Sequence, residues 1–214
     1  MGNRFITFEG VEGCGKSTQV ELLKGYLEKK GFKVLLVREP GGTRLGEKVR
    51  AILLNSEGDG MAPLTELFLY EACRAELVEK VIAPALKRGV FVICDRFVDS
   101  TVAYQGFGRG LKTDIPLLNK LASNGLTPDV TFLLDLDPEI GLKRARKRIS
   151  KTALKEDRFE KESLDFHKRV RKGFLKIAAD TPKRVRVISG DGGIPLIHNA
   201  ICDIINKSVL KDKR

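Results

Sequence analysis

Residues 8–19 read FEGVEGCGKSTQ and place Gly10, Gly13 and Gly15 directly ahead of Lys16 and Ser17. Glycine gives up more backbone entropy on folding than any other residue, so it weakens helix and strand interiors. A run this rich in it has to be a specialised turn. It follows the β-rich run RFITFE, 4–9, and it opens a stretch in which Val20, Leu22, Leu23, Tyr26 and Leu27 recur at helical spacing, with Gly31 placed to cap the end. The run matches G-x-x-x-x-G-K-[ST] in the strand–turn–helix setting that this motif demands.

The chemistry of the motif accounts for its residue types. Glycines let successive backbone N–H groups turn inward toward phosphate oxygens with no Cβ in the way. The helix start adds a positive end. Lys16 is of a length to reach β- and γ-phosphates, and Ser17 offers a hydroxyl to Mg²⁺. The stretch therefore predicts a nucleoside triphosphate site over Gly10, Val11, Glu12, Gly13, Cys14, Gly15, Lys16, Ser17 and Thr18.

Apolar runs at 33–37, 90–94, 130–134 and 184–189 read as further strands. Leu45–Leu54, Leu64–Leu86 and Ile194–Leu210 read as helices, the second bent or interrupted at Pro84. Strands alternating with helices predict an α/β fold around a parallel sheet covered on both faces. At 214 residues the chain suits one domain, or one domain with an insertion.

The longest apolar runs are far too short to span a bilayer, and the N-terminus shows no signal-peptide pattern, so the cytoplasm is the expected location. Cys14, Cys73, Cys94 and Cys202 form no C-x-x-C pair, and there are only two histidines. They predict buried thiols, with no zinc site and no disulfide framework. The net charge of +11 suits a polyanionic partner. Much of it lies in KRARKRISKTALK, 143–155, which has no acid and no aromatic residue. Without stacking side chains, this run argues against nucleic acid.

A phosphate loop can serve a small-molecule kinase, a GTPase or a nucleic-acid ATPase. No N-K-x-D is present to read guanine. The run VFVICDR ends a strand in Asp95 and Arg96. An acid followed by an arginine can hold Mg²⁺-bound water and grip a second phosphate, which favours a kinase acting on a phosphorylated acceptor. A kinase for another small phosphorylated acceptor and a nucleic-acid-stimulated ATPase remain as alternatives at this point.

Several motifs together resemble the thymidylate kinase family, which phosphorylates dTMP to dTDP with ATP. They are FEGVEGCGKSTQ, REPGGT at 38–43, LFLYEACRAE at 67–76, DRFVDSTVAYQG at 95–106 and ALKEDRFEKESLDFHKRVRKGF from 153 onward. The resemblance implies one domain over 1–214, with a five-stranded parallel sheet flanked by helices on both faces. It also implies a short mobile lid at about 144–160, ATP and Mg²⁺ as cofactors, and a homodimer with no membrane and no nucleic-acid partner.

For dTMP, the resemblance points to Glu39, Pro40, Arg50, Tyr70, Arg74, Arg96, Ser100, Thr101, Tyr104 and Gln105. Tyr70 and Arg74 are four apart on one helix and share a face, where one can stack on a base and the other donate to its carbonyl. The family usually has Phe where Tyr70 stands. Tyr104 resembles the aromatic that packs on the sugar. Lys16, Arg96, Asp95, Arg148, Arg158 and Glu9 are the expected catalytic residues, and Ser17 and Asp95 (through water) the expected metal partners. Glu12 stands where some members carry an arginine, so lid arginines are expected to supply the compensating charge, as in the subclass common in bacteria.

Overall fold

The computed structural model describes residues 4–55, 60–149 and 158–210. The strands are β1 (Phe5–Glu9), β2 (Val34–Arg38), β3 (Phe91–Asp95), β4 (Val130–Asp135) and β5 (Val185–Ser189). They form one five-stranded, wholly parallel sheet in the order β2-β3-β1-β4-β5. The inner strands β1, β3 and β4 are buried along almost their whole length, whereas edge strand β5 alternates between covered and open positions. Continuous apolar runs suit strands of a sheet covered on both faces, and the apolar run of β2 does so at an edge.

Side chains alternate across the sheet, and so they feed two cores. Ile6 and Phe8 pack with Val20, Leu23 and Leu27 of α1 (Lys16–Lys29) and with Ile197, Ile201 and Ile205 of α9 (Ile194–Ser208). Phe5, Val92 and Cys94 pack with Phe97 and with Leu77 at the end of α3 (Pro63–Leu77). Burying each large apolar side chain contributes about 1.5–3 kcal/mol. All four cysteines are free and buried, as their spacing implied.

The remaining helices are α2 (Arg44–Leu54), α4 (Ala83–Lys87), α5 (Val98–Thr101), α6 (Ile115–Ala122), α7 (Pro138–Ile149) and α8 (Leu164–Asp180). The interruption expected at Pro84 lies one turn earlier. A π-helical segment, Val78–Ile82, joins α3 to α4, and Pro84 falls in the first turn of α4. A proline lacks its N–H and crowds the preceding turn, and the wider π turn relieves both. A second π-helical segment, Val102–Gly108, continues α5 and carries Tyr104 and Gln105. Such turns recur at functional sites.

Strand order reverses around β1, and ligands of open α/β sheets bind at the carboxyl ends beside such a reversal. Register brings those ends together, since Asp95 lies across from both Phe8 and Arg38. The expected lid at about 144–160 falls partly on 150–157, which lie outside the described residues.

Candidate active site

The turn after β1 is built on left-handed glycines. Gly10, Gly13 and Gly15 have φ of 139°, 68° and 98°, values that L side chains rarely adopt. A Cβ on Gly13 would also run into the Gly141 carbonyl of α7. Gly15 caps α1, so the N-terminus of that helix faces the turn. Lys16 Nζ donates to the carbonyls of Gly10 and Val11, each at 3.0 Å. Ser17 Oγ donates to Asp95 Oδ2 at 2.9 Å.

The Ser17–Asp95 pair offers a hydroxyl and a carboxylate beside the loop. Among the described residues no group of three or more His, Cys, Asp or Glu could hold a metal ion. A cation here would draw its other ligands from phosphate and water. That fits Mg²⁺, which keeps several waters and takes one or two protein ligands plus substrate phosphates.

Arg96 follows β3 directly and holds φ at 71°. For a non-glycine residue this costs about 1–3 kcal/mol and marks positions whose side chain must aim somewhere specific. Its guanidinium donates to the Gly10 carbonyl at 3.0 Å, to Ser100 Oγ at 3.2 Å and to Glu12 Oε1 at 3.1 Å. It also lies 4.9 Å from the centre of the Tyr104 ring. Tyr104 donates its own hydroxyl to Glu12 Oε1 at 2.5 Å. Burial raises the Glu12 carboxyl, but His167, Arg96 and Lys16 outweigh it and hold the group down at about 2.

Arg74 is the largest fully buried side chain. Nε and one Nη2 hydrogen go to Glu39, and the other Nη2 hydrogen goes to Thr101. Nη1 donates to Glu71 at 2.8 Å and to Asn119 at 2.6 Å. A guanidinium has five N–H groups, so all of them are used within the protein. The donation expected from Arg74 to a base carbonyl therefore has no free hydrogen to make it. Two buried carboxylates take three of the five, and Thr101 and Asn119 take the other two. Burial pushes the Glu39 carboxyl up to about 6 despite Arg74. Arg74→Ala would leave these carboxylates buried and unpaired, at a cost of about 3–5 kcal/mol. The expected result is a lower thermal midpoint with no selective loss of acceptor binding, read by calorimetric melts beside titrations of both substrates.

Glu9 ends β1 fully buried. Its Oε1 accepts from the Phe97 N–H at 2.7 Å and its Oε2 from Ser100 Oγ at 2.6 Å. Burial, with Asp99 adding to it, pushes the carboxyl up to about 8 against the pull of Arg96. The folded state thus keeps a proton that the unfolded chain releases from about pH 4.5. Stability falls as pH rises from there toward 8. Glu9→Gln removes this loss. The midpoint of the wild type should drop relative to that of the variant between pH 5 and pH 8, and parallel melting curves would count against the assignment.

Apart from Glu9 and the outer glycines of the turn, these groups face one cavity of about 230 Å³. Glu12, Gly13, Lys16, Ser17 and Asp95 line one end. Glu39, Pro40, Arg50, Tyr70, Arg74, Arg96, Ser100, Thr101, Tyr104 and Gln105 line the rest, with Arg148 reaching in from the end of α7. Arg50 donates to the Pro40 carbonyl at 2.9 Å. Tyr70 is half-buried, and the desolvation of its hydroxyl raises its pKa.

A thymidylate kinase family profile matches residues 8–201. The chain belongs to the thymidylate kinase family. It is 54% identical to a thymidylate kinase of Geotalea daltonii over 189 residues, covering 87% of this chain and 88% of that one. It is 46% identical to one from Thermoanaerobacter sp. over 208 residues, covering 97% and 99%. The crystal structure of thymidylate kinase from Ehrlichia chaffeensis superposes with a TM-score of 0.77 at 36% identity, covering 96% of this chain and all of that one. The five-stranded α/β fold is that of this family.

Some positions expected of a thymidylate kinase do not line the cavity. Glu9 lies beneath it, bonded to Phe97 and Ser100. Gly10, Val11, Cys14, Gly15 and Thr18 shape the turn from outside the cavity wall. Arg158 was expected beside Arg148. Its guanidinium instead pairs with the buried Glu66 at 2.7 Å and donates to the Leu53 carbonyl, away from the phosphate loop. A desolvated carboxylate attracts a nearby guanidinium more strongly than open solvent does.

Conversely, Arg38, the first residue of REPGGT, lines the cavity, and so do Leu54, Phe159 and Glu160 without having been singled out. Nothing in their spacing marks them, because each arrives through a tertiary approach. Glu66, with Gln105, Arg109 and Arg158 around it, was likewise missed.

Proposed function

We infer that the chain transfers the γ-phosphoryl group of ATP to dTMP, giving dTDP and ADP, as a step toward dTTP. The observation that carries this reading is a single cavity with the phosphate loop at one end and Arg96, Tyr104 and Tyr70 at the other. A phosphate oxygen of dTMP attacks the γ-phosphorus in line as the bond to the ADP oxygen breaks. The acceptor is already an anion, so no strong base is needed, and positioning with charge neutralisation carries the rate.

In this reading the backbone N–H groups of Gly10–Thr18 and Lys16 hold the triphosphate. Ser17 and Asp95 (through water) hold Mg²⁺, which when bound neutralises the β- and γ-oxygens. Arg96 grips the acceptor phosphate. Among the described residues it uses three of its five N–H groups, which leaves donors for that task. Arg50 assists from α2. Tyr70 stacks on the base, Ser100, Thr101 and Gln105 line its edge, and Tyr104 packs against the sugar.

A coupled assay of ADP release tests the function. Release should depend on dTMP and be much slower with dUMP, CMP or shikimate. Release that ignores dTMP and rises many-fold with DNA or RNA would overturn it.

We also propose a cytoplasmic homodimer. Leu64 and Phe68 of α3 and Leu117 of α6 are about half exposed, and α3 packs against both α2 and α6. Large apolar side chains on neighbouring helices suit a partner copy. Light scattering of the purified chain reads the assembly state. Among the described residues no helix is long and apolar enough to cross a membrane.

A further inference from the structure

His167 in α8 has no exposed surface and does not line the cavity. Its Nε2 lies 2.9 Å from the Phe159 carbonyl oxygen. A carbonyl only accepts, so Nε2 carries the hydrogen. Its Nδ1 faces Glu12 Oε2 at 3.2 Å. Both of those atoms are buried, and among the described residues neither makes a hydrogen bond, so the polar contact between them is what the structure gives each. Each ring nitrogen thus faces an oxygen acceptor, the Phe159 carbonyl at one end and the Glu12 carboxylate at the other.

Glu12 is the junction of the site. Its Oε1 accepts from both Arg96 and Tyr104. A carboxylate is planar and turns about a single bond. Fixing Oε2 therefore fixes the plane, and with it the place of Oε1. We propose that His167 is a positioning residue: by holding Glu12 Oε2 it sets the carboxylate plane that keeps the Arg96 guanidinium and Tyr104 hydroxyl in register for the acceptor. Its hydrogen bond to the Phe159 carbonyl ties that register to the segment that follows residue 157. Phe159 in turn packs edge-on to Tyr104, with ring centres 5.3 Å apart. The inference rests on the acceptor reading of Arg96 and Tyr104 given above.

Two variants separate the two ends of the ring. H167N keeps a donor near the Nδ1 position and loses the one at Nε2. H167Q does the reverse. The expected result is that H167Q lowers kcat/KM for dTMP by about 10-fold, as for one lost hydrogen bond to a charged group. The KM for ATP should move much less, and H167N should restore most of the loss. In an E12Q background, H167Q should cause little further loss, because both changes act on one carboxylate.

Equal losses in H167N and H167Q that follow their melting temperatures would overturn the inference, since a merely packed ring predicts that. So would a loss confined to H167N, or losses that simply add in the double variant. If E12Q is impaired on dTMP while H167Q is not, only the role of His167 falls. If E12Q has normal kinetics on dTMP, the acceptor reading itself is wrong and the inference falls with it.

Discussion

Replacing Lys16 with alanine is expected to lower kcat by about 10²-fold or more, the loss seen when one preorganised donor is removed from a charged transition state. Lys16 is 8% exposed, and its ammonium reaches the Gly10 and Val11 carbonyls from inside the turn. It is the cation built into the triphosphate end, so its charge is already desolvated and aimed when ATP arrives. The turn itself is held by its glycine conformations and by the packing of Gly13 against Gly141, so the fold should survive. Steady-state kinetics at saturating ATP and dTMP, beside a melting curve, check both halves of this expectation. Near-normal turnover in a folded Lys16→Ala protein would sink the assignment of the ATP site.

Arg148→Ala is expected to lower kcat by roughly 10²-fold, with a smaller effect on the KM for dTMP. An arginine supplied to a phosphoryl-transfer transition state is worth about 10³–10⁵ in rate, and here neighbouring cations share the task. Arg148 lines the cavity from the end of α7, and among the described residues it pairs with Glu160 at 3.9 Å. It is largely exposed, so it is free to turn toward a developing charge. Arg144 lies apart, donating to the Gly190 carbonyl at 3.3 Å, and Arg146 donates to the Glu160 carbonyl at 3.0 Å. Arg158→Ala should act on stability more than on kcat, since its partner is the buried Glu66. A kcat within a few-fold of wild type for Arg148→Ala would mean that this basic run is only a solvated face.

Local signals carried the triphosphate end. Three glycines, a lysine and a serine in fixed order dictate backbone angles and donor directions within one turn, and the structure shows that turn between β1 and α1. Strand identity was equally local, because continuous apolar runs suit a sheet covered on both faces. Their expected ends differ from the observed ones by a residue or two, since hydrogen-bond ladders and not side chains set where a strand stops.

The acceptor end was legible only as a set of residue types, and the structure redistributed their tasks. Arg74 and Arg96 are both arginines with an acid within two positions in the sequence. Burial among Glu39, Glu71, Thr101 and Asn119 uses every hydrogen of the first, whereas a left-handed backbone after β3 aims the second into the cavity. The same holds for His167 and Arg158. The parallel sheet and the glycine-rich turn after β1 were readable in the sequence, because both arise from neighbours along the chain. Tertiary structure alone decided which charges face the cavity and which are spent on one another. Most of these ion pairs, such as Arg74 with Glu39, Arg96 with Glu12 and Arg158 with Glu66, depend on desolvation and on partners far along the chain, and no local spacing encodes either.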